Sequence, residues 1–195
     1  MLAAGSNIEW LCDDMQLVAT PHETDLIASE VSDTAGVMYV PALLGLGTPQ
    51  WDYGARGTLL GITRGTTRSH IVRAVLEGIA QRGADLVDAT EADSGLPISR
   101  MRIDGGMSRN RTFVQLFADA INRPVDVCAM TEATTLGAAF LAGVGAGTWN
   151  TLAEAAATSS PMRVVEPRQP LDRGAWVAAL ERAQEWIPAL SALDF

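Results

Sequence analysis

The chain has 195 residues, 48% hydrophobic and 19% charged, a balance that fits a soluble globular protein with one substantial core or two small ones and argues against disorder. Its 14 basic and 23 acidic side chains leave a net charge of −9, which disfavours phosphate backbones and anionic lipid surfaces, so neither nucleic acid nor a membrane is expected as a partner. Cys12 and Cys128 lie far apart without metal-ligand spacing, which reads as two buried reduced thiols and a cytoplasmic location.

No basic segment followed by an apolar run opens the chain, so a signal peptide is not expected. Ser6 and Glu9 stand at capping-box spacing in SNIEWLCDDM and predict a helix start there. After the turn at Thr20 and Pro21, residues 23–31 read as weakly helical, and GVMYVPAL (36–43) as a strand ended by Pro41. Glycine and proline make 44–56 a loop, and GTLLGI (57–62) is a second strand. Asp52 and Arg56 in that loop are expected to pair and hold its shape.

The clearest helix covers 69–92, where Ile71, Val72, Val75, Ile79, Leu86 and Val87 recur at helical spacing and Arg73, Glu77, Arg82 and Asp85 fall largely elsewhere. A strand at 98–104 leads into a helix at 109–122 with Phe113, Leu116, Phe117, Ala120 and Ile121 on one face. PVDVCAM (124–130) is a strand. The uncharged run 133–153 approaches membrane-spanning length, but its threonines and glycines, Trp149 and Asn150 favour a buried helix of small residues over 134–145. A short helix at 151–158, an extended MRVVEP (162–167) and an amphipathic helix at 171–186 close the chain. His22 and His70 read as helix caps or surface residues rather than catalytic groups.

Strands alternating with helices predict an α/β layered domain, in which ligands gather where strands end and helices begin. RIDGGMSRN (102–110) is such a place. Gly105 and Gly106 leave the backbone amides without a β-carbon in front of them, and the amides that open the next helix carry partial positive charge suited to a nucleotide or phosphate. A tight turn that binds nothing has the same pattern.

GTLLGITRGTTRSHIVRAVLE (57–77) resembles the downstream signature of the FGGY carbohydrate kinases: Gly57, Leu59, Gly61 and Ile62, a gap of seven residues, then His70, Ile71, Ala74, Val75, Leu76 and Glu77. GLGTPQWDYGARG (45–57), RIDGGMSRN and EATTLGAAFLAGVGAGTW (132–149) resemble further segments of that family in the same order, nearest to its glycerol kinase branch. The resemblance covers almost the whole chain and weakens after about residue 160.

What the resemblance implies is an actin-like ATPase, ribonuclease-H-like domain lacking its first strands, with residues 1–195 forming the C-terminal, nucleotide-binding domain of a kinase. By the same resemblance Gly5, Ile8, Glu9, Gly106 and Asn110 contact the adenosine of ATP or ADP, and Asp104 holds the turn or a helix end rather than acting as a base. Relatives often carry an amide at the position of Glu9, and a carboxylate there is mildly repulsive to a nucleotide unless it turns into the capping box with Ser6. Glycerol, the catalytic carboxylate and the loop around the phosphates belong to an upstream domain, so no catalytic residue is expected in this chain, and Mg²⁺ is expected on the phosphates and on residues outside it. The N-terminal kinase half, or self-association through an exposed sheet edge, is the expected partner. A noncatalytic nucleotide-binding or interaction module and the matching part of another sugar kinase, such as a pentulose kinase, are the alternatives.

Overall fold

In the computed structural model, residues 4–130 and 132–193 are described. Helix α1 (Ala4–Glu9) passes into a π-helical turn (Trp10–Asp14), α2 spans Glu23–Ser29, and α3 spans Arg68–Ser94. The apolar repeat predicted for α3 makes it the central pillar: Val72, Val75, Leu76, Ile79 and Val87 are buried. Thr67 and His70 form a reciprocal capping box at its start, and Gly95 in the left-handed region ends it. α3 packs against α2, against strand β1 (Met38–Val40) and against α4 (Arg111–Ile121). The approach of β1 is so close that a β-carbon on Gly78 would stand 2.0 Å from the Tyr39 carbonyl oxygen.

One sheet packs on α3 and a second on α4. β1 pairs antiparallel with β2 (Thr58–Leu60). The second sheet has the order β3-β4-β5, with β3 (Met101–Ile103) parallel to β4 (Val125–Cys128) and β4 antiparallel to β5 (Pro161–Val165). Among the described residues β3 pairs with β4 alone, so its outer edge is open. One core joins α1 to α4 with β4. A second gathers Val40, Leu46 and Ala55 around Trp176 and Leu180 of α7 (Arg173–Ala183).

Two expectations need correction, and two charged side chains lie where helical periodicity assigned them no place. Ser6 lies inside α1 rather than ahead of it, and no bond between Ser6 and Glu9 closes a capping box. Arg82 and Asp85 are not on a solvent face. Both are buried, because the Arg82 guanidinium donates to the carbonyls of Gly47 (2.9 Å) and Thr48 (2.6 Å) and to the side chains of Gln50 and Asp85, while Asp85 accepts from Arg173 (2.6 Å) and from the Trp176 indole (3.0 Å). This network fastens the 44–56 loop and α7 to α3, the kind of fully bonded arrangement that a buried charge needs.

The second correction concerns α5 (Ala133–Gly145), the helix of small residues, which has no buried residue. Its packing is with α6 (Leu152–Ala157) and with Trp149, whose ring meets Phe140 edge-on at 5.7 Å, and no described element covers the rest. No described helix is long and apolar enough to cross a membrane. Both cysteines are free and half-buried, and burial, with Asp13, Glu23 and Glu9 nearby, pushes the Cys12 thiol up from its ordinary pKa. The remaining elements fall within two or three residues of their predicted bounds; a last short helix, α8 (Pro188–Ser191), follows α7.

Candidate functional site

Three segments converge on a cavity of about 370 Å³. α1 contributes Gly5, Ile8 and Glu9, which at spacings of three and four share one helix face. The turn after β3 contributes Gly106, Met107, Arg109 and Asn110, and the start of α2 contributes Pro21, His22, Thr24 and Asp25. All five residues singled out in the sequence, Gly5, Ile8, Glu9, Gly106 and Asn110, therefore border one space.

The glycine turn has the conformation its composition requires. Gly105 sits at φ +81°, a region that side chains other than glycine's rarely adopt, and a 3-10 turn (Gly106–Arg109) begins directly after it. A β-carbon on either Gly105 or Gly106 would meet nothing within 4 Å, so the backbone faces open space and not packed protein. The buried Ser108 hydroxyl donates to the Gly105 carbonyl at 2.7 Å and locks the bend from behind.

Asn110 does more than border the cavity. Its Oδ1 accepts the Phe113 N–H at 2.8 Å, capping α4, and its Nδ2 donates to the Thr24 hydroxyl at 2.9 Å. Thr24 in turn donates to the Pro21 carbonyl at 2.6 Å. Asp25 accepts from the Thr112 amide (2.8 Å) and hydroxyl (2.7 Å), so α2 is stitched to the head of α4 by two separate pairs of side chains. The second N–H of the Asn110 amide takes part in neither of these bonds.

Behind α1, the wall is held by the buried Asn7, whose Oδ1 accepts the Tyr39 hydroxyl at 2.5 Å, and by Trp10 stacked on Tyr39 at 6.0 Å. Burial pushes the Tyr39 phenol well above its ordinary pKa, so it stays a neutral donor. Gly5 and Gly106 with Ile8, Met107 and Pro21 give the space an apolar lining, to which Glu9, Asp25, Arg109 and His22 add charged and polar groups. An uncharged ring with a few polar edges suits such a space better than a polyphosphate. Among the described residues no group of three or more histidines, cysteines or carboxylates is placed to hold a metal.

Asp104 and Asp52 both have structural engagements. Asp104 accepts the Ala133 N–H at 3.1 Å, at the start of α5. Asp52 does not pair with Arg56. It accepts from the amides of Gly54 (2.8 Å), Ala55 (3.0 Å) and Glu185 (2.7 Å) and from the Ser191 hydroxyl (2.5 Å), whereas Arg56 donates to the carbonyls of Tyr53 and Ala55. Burial alone would raise the Asp52 pKa, but these four donors outweigh it and hold the carboxyl below its ordinary value.

The α2 residues were not foreseen. The only local signal is the turn at Thr20 and Pro21 opening onto a helix with Glu23 and Asp25 in its first turn, which has no visible link to residues some 86 positions later.

Residues 1–146 match the FGGY family of carbohydrate kinases, C-terminal domain. The glycerol kinase of Gloeobacter violaceus is 41% identical over 192 residues, covering 96% of this chain and 39% of that protein, and that of Bordetella parapertussis is 44% identical over 188 residues, covering 94% and 37%. The chain thus spans less than half the length of the relatives it matches. Among solved structures, Plasmodium falciparum glycerol kinase with ADP superposes with a TM-score of 0.83 at 36% identity, over 92% of this chain and 37% of that one. A xyloylose kinase from Brucella ovis superposes with a TM-score of 0.78 at 30% identity, over 100% and 40%. The architecture is that of the actin-like ATPases, and the chain belongs to the FGGY family of carbohydrate kinases.

Proposed function

We propose that residues 1–195 form the nucleotide-binding C-terminal part of an ATP-dependent glycerol kinase, an enzyme that moves the terminal phosphoryl group of ATP to glycerol and yields glycerol 3-phosphate. The observation that carries this reading is the cavity that Gly5, Ile8 and Glu9 of α1 share with Gly106 and Asn110 of the bare turn that begins at Gly105. Glycerol kinases at 41% and 44% identity, and the superposition on a glycerol kinase with ADP, support the choice of nucleotide and of polyol.

In this reading the adenine lies against the glycine backbone, with Ile8 and Met107 as apolar contacts and the second N–H of Asn110 as a donor. Glu9, exposed on α1, accepts from the nucleotide's amino or hydroxyl groups instead of closing a cap. Phosphoryl transfer needs a carboxylate for the hydroxyl proton, donors around the phosphates and Mg²⁺ against the developing charge. This chain positions the nucleoside end, and the N-terminal domain supplies the proton acceptor, the polyol site and, with the phosphates, most of the metal's ligands. That domain also covers the open edge of β3 and the uncovered α5. Such an enzyme works in the cytoplasm.

The test is glycerol-dependent ADP production by the chain combined with the N-terminal half of the kinase. Production with glycerol, and little with pentuloses, is the expected outcome. A pentulose kinase is the second reading, favoured by the 0.78 superposition on the Brucella ovis enzyme, and faster turnover of a pentulose establishes it. No ADP production with either substrate, while the chain still binds ADP, points to a noncatalytic nucleotide-binding module.

A further inference from the structure

A second hollow, of about 670 Å³, lies on another side of α4, between α3 and the segment that begins with β5. Arg73 of α3, Arg111 of α4, Arg163 of β5 and Arg168 beyond it converge there. All 14 basic residues of the chain are arginines, so more than a quarter of its positive charge is gathered in one groove of a molecule with net charge −9.

Carboxylates are plentiful in this chain, and Arg82, Arg100, Arg102, Arg123 and Arg173 are all ion-paired. Among the described residues none of the four groove guanidinium groups is within ion-pair distance of a carboxylate, although Glu77 and Asp33 lie near enough to Arg73 to feel its charge. The groove has two carboxylates of its own. Asp119 is drawn into the protein, its Oδ1 accepting from the amides of Arg168 (2.6 Å) and Gln169 (3.2 Å) and from Gln115 (3.0 Å). Glu166 is exposed at the rim and counts against an anion.

A separate observation concerns donors without acceptors. The Nε–H groups of Arg73 and Arg163 are buried and have no hydrogen-bond partner, although each guanidinium is anchored through another nitrogen, Arg73 to the carbonyls of Ala28 (3.3 Å) and Val31 (3.1 Å) and Arg163 to that of Ser108 (3.5 Å). Buried donors are ordinarily satisfied. Arginine forks anchored through one nitrogen, each with an unmet Nε–H, suit a tetrahedral oxyanion, which accepts several such donors at once.

We propose that this groove binds a phosphate-type oxyanion, either inorganic phosphate or the phosphate monoester group of a small molecule. Arg73 and Arg163 form its fixed floor, and Arg111 and Arg168, whose side chains are exposed, close on it from the rim.

The experiment follows the arginine Nε–H resonances of the full chain, labelled with ¹⁵N, during titration with inorganic phosphate, with phenyl phosphate, and with chloride at matched ionic strength. Saturable shifts of Arg73 and Arg163 with a phosphate probe, absent with chloride, are expected. Arg111→Gln with Arg168→Gln, which remove no internal hydrogen bond of a side chain, should weaken binding about tenfold with an unchanged circular dichroism spectrum. Tighter binding of phenyl phosphate identifies a monoester site, and equal binding a site for inorganic phosphate. Shifts that merely track ionic strength, an unaltered affinity in the folded double variant, or saturation by an acidic peptide but by neither phosphate probe would overturn the proposal.

Discussion

Gly106→Val separates the two things the glycine turn does. Gly106 is not at positive φ, and a β-carbon there meets nothing within 4 Å, so the folded chain should tolerate valine with a stability change within about 0.5 kcal/mol. The added methyl groups fall into open space beside a cavity of only about 370 Å³. A nucleoside seated there meets the overpacking cost of a filled site, about 1–3 kcal/mol, or roughly 5- to 150-fold in affinity. Asn110→Ala gives the opposite pattern. It removes the cap on Phe113 and the bond to Thr24, each worth about 1 kcal/mol, so about 2 kcal/mol of stability is lost before any ligand contact is counted. Urea unfolding of each variant beside ADP titration of the assembled kinase reads both quantities. A folded Gly106→Val protein that binds ADP as tightly as the parent would refute the placement of the nucleoside.

Asp85→Ala strips the buried Arg82 and the Trp176 indole of their shared acceptor and should cost about 3–5 kcal/mol, with Asp85→Asn milder because it keeps a carbonyl for the indole; equal midpoints in urea would contradict the network. Gly78→Ala forces a methyl group against the Tyr39 carbonyl, and a loss of about 1–3 kcal/mol in thermal unfolding is expected, whereas an unchanged midpoint means that α3 and β1 are not in close contact. Asp52 has a lowered pKa in the folded chain, so its contribution is present above the ordinary value of 3.8 and is lost as pH falls below it. Asp52→Asn should therefore be less stable at neutral pH and show a flatter decline in melting temperature below about pH 4, and a parallel decline removes Asp52 as the cause.

Periodicity made α3 and α4 legible, since an apolar repeat at helical spacing needs only local information. It left Arg82 and Asp85 without a place for the same reason. Their charges say surface, while the carbonyls of Gly47 and Thr48 that hold Arg82 lie some 35 positions earlier, and the Trp176 that holds Asp85 comes 91 positions later. The small-residue helix read as buried because alanine and glycine ask for close packing, yet no described element of this chain lies over α5. For the cavity, the glycine turn and the face of α1 were recognisable as motifs. Thr24 and Asp25 were not, because their place beside Asn110 and Thr112 is created by the packing of α2 on α4. The Asp52 loop shows a subtler limit: its shape-holding role was legible, but an acid and a base four residues apart suggested an ion pair where the fold instead supplies two local amides together with one amide and a hydroxyl from the far end of the chain.

A crystal structure of the assembled kinase with ADP tests the central claim most directly. The account predicts the adenine ring in van der Waals contact with the backbone of Gly105 and Gly106, with Ile8 beside it and Asn110 still bonded to Thr24. Nucleotide bound elsewhere, with that turn closed over by protein, would contradict it.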